Sequence, residues 1–298
     1  MNSVLVEQSN SLAEVVSQSG PTIVRVEARR RLPATGIVWS ADGVIVTANH
    51  VVTRDEKIQV GLANGRHLEA ILVGRDPSTD IAVLRVNADD LTPLTEANKQ
   101  EVNVGNFVLA LGRPGRTVQA TLGIISALGD SWRTGRGGMI DRYVQTDVLM
   151  YPGFSGGALV NAAGQLVGLN SSALARGISV SIPTSTLAQV ADSLLAHGRI
   201  RRGYLGISTQ RARLPEAVQA ELGQQRGLLV VSVEKESPAE EGGLTLGDTI
   251  VAVGDTAVQN HDDLLAALSG DQIGSAVSVK IVRGGQMTTL DVMIGERP

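Results

Sequence analysis

Short apolar runs separated by turn residues dominate the chain after its first twenty residues. They recur at roughly 8–12-residue spacing with little helical periodicity between them, a spacing typical of an all-β barrel or sandwich. The predicted strands are residues 22–28, 36–39, 44–47, 58–61, 70–73, 81–86, 107–111, 119–126, 144–147, 158–160, 167–170 and 179–182.

Helical patterns lie only at the edges of this β region. Residues 11–14 (S-L-A-E) form a capping box, which predicts a helix that begins at Ser11 and ends at Gly20-Pro21. After Pro183, apolar residues return at helical spacing until Gly198. We therefore assign residues 1–198 to the first domain and take the basic stretch that follows as a linker.

Residues 199–298 read as a second, smaller unit that mixes strands and helices. Ser237 followed by Pro and, three residues on, by Glu predicts a short helix, and residues 262–268 predict another. The predicted strands are 204–209, 227–233, 249–253, 276–283 and 287–294.

Composition narrows the class of protein. With 298 residues, 43% of them hydrophobic, the chain can build about two domains with real cores, which must be aliphatic because aromatic residues make up only 2%. A formal net charge of -4 argues against nucleic-acid binding. There are no cysteines, which excludes disulfides and thiolate chemistry.

The sequence predicts no membrane span, because no continuous apolar stretch approaches about 18 residues. Residues 1–10 lack the basic start and apolar run of a secretory signal. We expect a soluble chain that is cytoplasmic as written, or periplasmic or otherwise extracytoplasmic if a targeting segment was removed.

Three consecutive arginines, residues 29–31, have two interpretations. They could bind a polyanion, or they could form a solvated loop between two strands, which we favour.

Metal and nucleotide sites find no support. The four histidines, His50, His67, His197 and His261, form no H-E-x-x-H pair and have no carboxylates at ligand spacing. The glycine-rich segment 112–117 lacks the lysine of a phosphate-binding loop. We therefore expect no metal and no cofactor.

Ser155 is the strongest candidate for chemistry. It lies in G-F-S-G-G (153–157), where glycines allow a tight turn that brings backbone N–H groups toward a bound carbonyl. His50 follows one apolar strand and Asp80 precedes another, so the order His, Asp, Ser is one known for a serine-nucleophile triad. Taken alone, His50 could instead be a core histidine and Asp80 a turn residue.

Several motifs in the right order extend this pattern. They are S-A-D-G-V-I-V-T-A-N-H-V-V (40–52), D-P-S-T-D-I-A-V-L-R-V (76–86), T-L-G-I-I-S-A-L-G (121–129), Q-T-D-V-L-M-Y-P-G-F-S-G-G-A-L-V-N (145–161) and G-I-S-V-S-I-P (177–183). Over the first ~195 residues the chain resembles the HtrA family of serine proteases. The resemblance implies a mainly β fold, a chymotrypsin-like double β-barrel.

The resemblance also implies roles for individual residues. His50 matches the general base, Asp80 the carboxylate that orients it, and Ser155 the nucleophile. The N–H groups of Gly153 and Ser155 match the oxyanion hole.

Two departures from the family pattern are visible. Phe154 stands where the family has Asn, so it either packs into an aliphatic pocket or holds the turn in a collapsed, inactive form. Ala34-Thr35-Gly36 replaces Gly-Ser-Gly before the second strand, which we interpret as a change of local turn shape.

The specificity pocket should be lined by Leu149 and by Asn170, Ser171 and Ser172. An apolar floor without Asp or Glu disfavours Lys or Arg substrates. We expect cleavage after small or medium aliphatic residues.

The second unit resembles a PDZ domain of the circularly permuted bacterial type, on R-G-Y-L-G-I (202–207), S-P-A-E-E-G-G-L-T-L-G-D-T-I-V-A-V (237–253) and D-D-L-L-A-A-L (262–268). The resemblance implies a small α+β domain in which Tyr204, Leu205, Gly206 and Ile207 bind a peptide carboxylate. Leu265 and Leu268, with Leu205 and Ile207, would line the side-chain pocket. A purely structural domain without ligand is the alternative.

Together these features predict a serine endopeptidase of unfolded or damaged proteins, whose second domain binds peptide C-termini for recruitment or regulation. The quality-control role and assembly as a homo-oligomer, a trimer, come from the resemblance alone. The rival interpretations are a proteolytically silent chaperone or adaptor of the same fold, favoured by Phe154, and a PDZ-based scaffold.

Overall fold

The structure is a computed structural model that describes residues 2–201, 203–268 and 272–296. The chain divides into two compact units, Met1–Ile200 and Arg201–Pro298. The division falls two residues beyond the boundary expected from the sequence. Among the described residues, no helix combines the length and apolar character needed to span a membrane.

Six strands of the first unit close into a barrel in the order β1-β2-β3-β6-β5-β4. Residues on β2 and β3 are buried along their whole length, because one face fills the barrel and the other is covered by neighbouring structure. Gly36 is needed inside, since a Cβ there would lie 2.9 Å from both Ile45 and Val26. The strands are β1 Ile23–Glu27, β2 Ala34–Val38, β3 Val44–Ala48, β4 Ile58–Gly61, β5 His67–Asp76 and β6 Ile81–Val86.

A second closed barrel follows in the order β11-β14-β13-β12-β7-β8. All twelve barrel strands were predicted from the sequence, whereas the two-residue strands β9 and β10 were not. The elements are β7 Phe107–Gly112, β8 Gln119–Gly129, β9 Trp132–Arg133, β10 Met139–Ile140, β11 Tyr143–Thr146, β12 Ala158–Asn161, β13 Leu166–Ser171 and β14 Ser179–Pro183. The two closed barrels confirm the mainly β, chymotrypsin-like fold.

Two helices flank the barrels, α1 Asn2–Ser19 and α2 Thr184–His197. Helix α2 buries its apolar face and ends at Gly198, whose φ of 70° is the left-handed conformation that glycine adopts freely. The predicted start of α1 at Ser11 is wrong. Ser11 lies inside the helix, and its hydroxyl donates to the carbonyl of Glu7 (2.9 Å) instead of capping a helix end.

The second unit is built on a sheet ordered β16-β17-β18-β20-β21. Its core holds Leu228, Val230, Ile250, Val279 and Ile281. The elements are β15 Gly203–Tyr204, β16 Ile207–Arg213, α3 Glu216–Leu222, β17 Arg226–Val233, α4 Pro238–Glu241, β18 Thr249–Val253, β19 Thr256–Ala257, α5 His261–Ala267, β20 Ala276–Arg283, β21 Gln286–Met293 and β22 Gly295–Glu296.

Two features of this unit differ from the sequence prediction. The strand expected over 204–209 is interrupted, because Gly206 has a φ of +79° that no extended strand contains. Helix α3 was not predicted, since it buries only Val218 and so has little apolar periodicity. The interruption leaves a loop at the start of β16, and in the described part of the unit β16 is an edge strand whose one partner is β17.

Candidate active site

The site begins where two neighbouring strands of the first barrel end. Strand β3 ends at Ala48, and a single 3₁₀ turn, Asn49–Val51, carries His50 outward. Asp80 immediately precedes β6 and takes a φ of 63°, which is uncommon for a residue other than glycine. Because β3 and β6 are paired, with Ala48 opposite Ile81, these two residues are brought together.

Asp80 holds His50 at two points. The backbone N–H of His50 donates to one carboxylate oxygen (2.9 Å), and Nδ1 of the ring donates to the other (2.8 Å). Ser171, at the end of β13 in the second barrel, also donates to Asp80 (2.5 Å). Three donors therefore satisfy a carboxylate whose side chain is only 6% exposed, while the His50 ring keeps 27% of its surface exposed. With Nδ1 as the donor, Nε2 of neutral His50 is left to accept a proton.

Ser155 follows a tight turn between the two barrels. Pro152 and Gly153 occupy its centre, Gly153 has a φ of +94°, and the N–H of Phe154 donates to the carbonyl of Tyr151 (3.0 Å). Proline followed by a glycine with positive φ is the signature of a type II turn. A Cβ on Gly153 would lie 2.6 Å from Pro114, so both space and backbone conformation require glycine here.

Thr35 fastens this turn from the first barrel. Its hydroxyl is fully buried, donates to the carbonyl of Gly153 (2.7 Å) and accepts from the backbone N–H of Arg113 (2.8 Å). Sequence analysis interpreted the Ala34-Thr35-Gly36 departure as a matter of turn shape and missed this role. The available signal was the hydroxyl itself, which Thr shares with the Ser of the family pattern.

Phe154 anchors the turn from the second barrel. Its side chain is 0% exposed and packs into a core cluster with Val108, Ile125, Val148 and Leu159. The ring of Tyr151 meets it edge to face at a centroid distance of 5.7 Å. Of the two alternatives left open by the sequence, the structure shows the first, an aromatic ring that fills an apolar pocket.

The turn leaves two backbone donors unused. Among the described residues, the N–H groups of Gly153 and Ser155 donate to no backbone acceptor, whereas those of Gly156 and Gly157 bond to Asn170 (2.9 Å) and Phe154 (2.9 Å). A pair of free donors beside the candidate nucleophile is the arrangement that would stabilise an oxyanion.

The Ser155 hydroxyl lies in a cavity of about 320 Å³ that His50 also lines. It contacts the hydroxyl of Ser172 (3.0 Å) and accepts from the Ser172 N–H (3.3 Å). No hydrogen bond joins it to His50 within the described part of the chain. The structure thus places His50 and Ser155 on one cleft, with the buried Asp80 bonded to His50 and no hydrogen bond between Ser155 and His50 among the described residues.

The predicted specificity pocket needs correction. The Asn170 side chain is 0% exposed and bonds to the Ala158 carbonyl (2.8 Å) and the Ser181 hydroxyl (3.0 Å), so it ties barrel strands together. The Ser171 hydroxyl donates its hydrogen bond to the carboxylate of Asp80. Only Ser172 of the four predicted residues lines the cavity that holds Ser155, while Leu149 is 57% exposed.

In the second unit the predicted carboxylate loop, residues 204–207, already forms some backbone hydrogen bonds within the domain. The carbonyls of Leu205 and Gly206 accept from Ala239 (2.9 Å) and Glu234 (2.8 Å), while their own N–H groups have no backbone acceptor in the described structure. The side chains of Leu205 and Leu268 belong to the domain core. Ile207 is half-buried and Leu265 is 51% exposed, so the side-chain pocket stays a prediction for all four residues.

Sequence analysis missed His261 at the start of α5. Its Nε2 donates to the carbonyl of Thr209 on β16 (3.0 Å), so the ring bridges the helix and the edge strand. The available sequence signal was the capping box formed by Asn260 and Asp263, which marks the start of α5 and so places His261 in its first turn.

The described residues contain no group of three or more acidic, histidine or cysteine side chains placed to hold a metal ion.

Comparison with known proteins identifies the class of protein to which the chain belongs. The profile of the trypsin-like peptidase domain matches residues 34–169, and that of the PDZ domain matches residues 203–294. In solved structures, an HtrA-type protease, AlgW with a decapeptide, superposes with a TM-score of 0.80 at 30% identity, covering 96% of this chain and 99% of that one. A serine endoprotease from Yersinia pestis superposes with a TM-score of 0.78 at 32% identity, covering 96% and 98%. The chain belongs to the HtrA family of trypsin-like serine proteases with a PDZ domain.

Curated relatives of similar sequence are also named as serine endoproteases. A probable periplasmic serine endoprotease, DegP-like, from Pseudomonas fulva is 38% identical over 270 residues, which cover 89% of this chain and 56% of the relative. Another of the same description from Halomonas elongata is 36% identical over 278 residues, 91% of this chain and 58% of the relative. The chain thus spans a little over half the length of these relatives.

Replacing Phe154 by Ala should destabilise the first unit by about 3–5 kcal/mol, because a buried ring is lost from a packed core. Denaturant unfolding followed by tryptophan fluorescence measures this, since both tryptophans, Trp39 and Trp132, lie in that unit. Phe107→Ala is the matched control: the chain's other phenylalanine is 55% exposed, so its loss should change stability by about 0.5 kcal/mol or less. Equal effects would contradict the anchoring role of Phe154.

Proposed function

We propose that this chain is a serine endopeptidase in which His50, Asp80 and Ser155 form the catalytic triad. One observation carries the proposal: a His50–Asp80 pair held by two hydrogen bonds opens onto the same cavity as Ser155, beside two unused backbone donors. Acyl transfer needs a nucleophile, a base and an oxyanion site around one point, and this cavity offers all three.

The proposed reaction is acyl transfer through a covalent Ser155 intermediate. The Ser155 oxygen attacks the scissile carbonyl carbon while Nε2 of His50 takes its proton, and Asp80 stabilises the imidazolium that forms. The carbonyl oxygen becomes an oxyanion that accepts hydrogen bonds from the N–H groups of Gly153 and Ser155. His50 then protonates the departing amine, and water hydrolyses the acyl-enzyme by the same steps.

This mechanism requires one rearrangement. The Ser155 hydroxyl must exchange its contact with Ser172 for one with Nε2 of His50. Rotation of the Ser155 side chain between staggered positions is the movement that this exchange needs. We infer that substrate entry favours it, because a peptide in the cavity would occupy the space next to Ser172.

We propose unfolded polypeptide as the substrate and small or medium aliphatic residues as the preferred site of cleavage. Within the described structure no acidic residue lines the cavity, and Met150 and Tyr151 contribute apolar walls. The PDZ unit would recruit peptide C-termini: free N–H groups at Leu205 and Gly206 would receive the carboxylate, and the edge strand β16 would pair with the peptide. The peptide-bound AlgW structure supports this assignment.

We further propose an extracytoplasmic, periplasmic location and assembly as a trimer. The names of the curated relatives support the periplasm over the cytoplasm. Helix α1 carries Val4, Leu5 and Val6 at 57%, 70% and 55% exposure, an apolar stretch suited to contact between subunits.

A silent chaperone or adaptor is the second candidate. The observation that favours it is the Ser155 hydroxyl, which bonds to Ser172 and leaves His50 without the nucleophile's proton. The intact His50–Asp80 geometry favours the enzyme.

Casein degradation separates the two functions. The wild-type chain should degrade casein, and Ser155→Ala should lose the activity by about 10⁴-fold or more, because the nucleophile is gone. Ser131→Ala, which removes an exposed serine, should remain active. Degradation by both wild type and Ser155→Ala, or by neither, would remove the enzyme hypothesis.

Thr35→Val tests the oxyanion turn. Valine keeps the shape of the side chain but leaves the Gly153 carbonyl and the Arg113 N–H without partners. We expect kcat to fall about tenfold or more with little change in KM, since the donors are displaced chiefly from the transition-state oxyanion. Thr35→Ser retains the hydroxyl and should restore kcat to within about threefold of wild type. A Thr35→Val enzyme with wild-type kcat would contradict this role.

Peptide titration tests carboxylate capture by the PDZ unit. The 298-residue chain with Ser155→Ala should bind a peptide with a free apolar C-terminus at least about tenfold more tightly than the same peptide amidated, because amidation removes the charge that the N–H groups receive. Fluorescence anisotropy measures both affinities. Equal affinity would leave the domain with a structural role only.

A further inference from the structure

The three consecutive arginines of the β1–β2 loop have no role in the triad or the oxyanion turn. The structure places the first of them at the cleft. Arg29 and Leu32 line the cavity that holds His50 and Ser155. Farther along the loop, Pro33 approaches the oxyanion turn so closely that a Cβ on Gly153 would lie 2.9 Å from its carbonyl oxygen.

The guanidinium of Arg29 is oriented but not neutralised. Its Nε donates to the carbonyl of Leu32, which fixes the plane of the group. In the described part of the chain its terminal nitrogens have no hydrogen-bond acceptor and no ion-pair partner. Arg29 is half-buried, whereas Arg30 and Arg31 are exposed. A half-buried guanidinium with free terminal N–H groups is suited to a carboxylate, which it binds through two parallel hydrogen bonds.

Among the residues that the structure describes, none that lines the cavity is an acid that could compete for Arg29. The only carboxylate at the triad, Asp80, lies behind His50 and is already satisfied by three donors. A negative charge entering the cleft would therefore come from the bound peptide.

The two walls of the cleft indicate which side of the peptide Arg29 faces. Ser172, which contacts the Ser155 hydroxyl, continues the chain beyond the last ladder pair of β13 (Ser171 with Val180). We infer that its backbone pairs with an extended peptide on the acyl side. The Arg29–Leu32 wall borders the oxyanion turn instead and is left for the residues after the scissile bond.

We propose that Arg29 is a specificity-determining residue that selects a peptide with an acidic residue on the leaving-group side of the scissile bond. The proposal rests on the proposed endopeptidase function and adds a substrate class to it. It replaces the solvated-loop interpretation for Arg29 and keeps it for Arg30 and Arg31.

Matched internally quenched peptides test the proposal. Each pair has the same aliphatic cleavage site and differs only by Glu or Gln at one position, from three residues before to three residues after the scissile bond. With the wild-type chain, kcat/KM should be about tenfold higher for Glu than for Gln at one leaving-group position, the size of a partly exposed charge-assisted pair. The ratio should fall as NaCl is raised.

The variants identify the arginine responsible. In Arg29→Gln the Glu-to-Gln ratio should fall to about one, whereas in Arg30→Gln it should stay near the wild-type value. A wild-type ratio of one at every leaving-group position, an acidic preference confined to the acyl side, or equal losses in both variants would overturn the proposal.

Failure of this proposal is distinguishable from failure of the proposed function. If the wild-type chain cleaves no peptide of the set, the endopeptidase function fails. Anisotropy of dye-labelled Glu and Gln peptides bound to the same chain then still tests Arg29. Tighter binding of the Glu peptide, lost in Arg29→Gln but not in Arg30→Gln, supports the site, and equal affinities refute it.

Discussion

The conformation of one turn, from Tyr151 to Ser155, controls the rest of the site. A type II turn with positive φ at Gly153 is what leaves the Gly153 and Ser155 N–H groups free. Each barrel holds this turn by a different interaction. The first barrel supplies a hydrogen bond from Thr35, which is directional, and the second supplies a pocket for Phe154, which is not. The hydrogen bond orients the peptide group, and the buried ring keeps the turn in place.

Because the Thr35 hydrogen bond orients the turn and the buried ring keeps it in place, the chain tolerates Phe154 where its family has Asn. A polar side chain can hold a turn through hydrogen bonds, whereas a phenyl ring holds it by burial, worth several kcal/mol in a closely packed core. The core around Phe154 is aliphatic, and Gly112 provides room for the ring: a Cβ there would lie 2.6 Å from it. The ring and the glycine thus fit one another, and the turn that carries Ser155, the proposed nucleophile, is held by close packing.

The histidine side of the cleft depends on the fixed geometry of paired strands. The pairing of β3 with β6 sets the distance between His50 and Asp80, and the left-handed φ of Asp80 directs its carboxylate back toward the ring. A donor from the second barrel, Ser171, completes the shell of the carboxylate. Since both barrels contribute a partner to Asp80 and a partner to the Ser155 turn, the cleft is defined only when the two barrels pack together.

Local sequence was sufficient for the strands and for the residues around the cleft, because alternating burial, glycine turns and spaced motifs are properties of short segments. It was insufficient wherever a side chain acts across the fold. Asn170 and Ser171 were both assigned to a pocket. Asn170 instead bonds to a neighbouring barrel strand. Ser171 donates a hydrogen bond to Asp80, 91 positions away along the chain. Thr35 acts on Gly153 across 118 positions, and no local pattern reports that distance. The start of α1 was misplaced because its first turns are exposed and carry no apolar periodicity.

Labelling with a fluorophosphonate tests whether His50 activates Ser155, since only an activated serine displaces fluoride from phosphorus to form a serine–phosphorus ester. We expect a single adduct, mapped by mass spectrometry to Ser155 and lost in His50→Ala. An unlabelled wild-type chain, or an adduct on another residue, would contradict it.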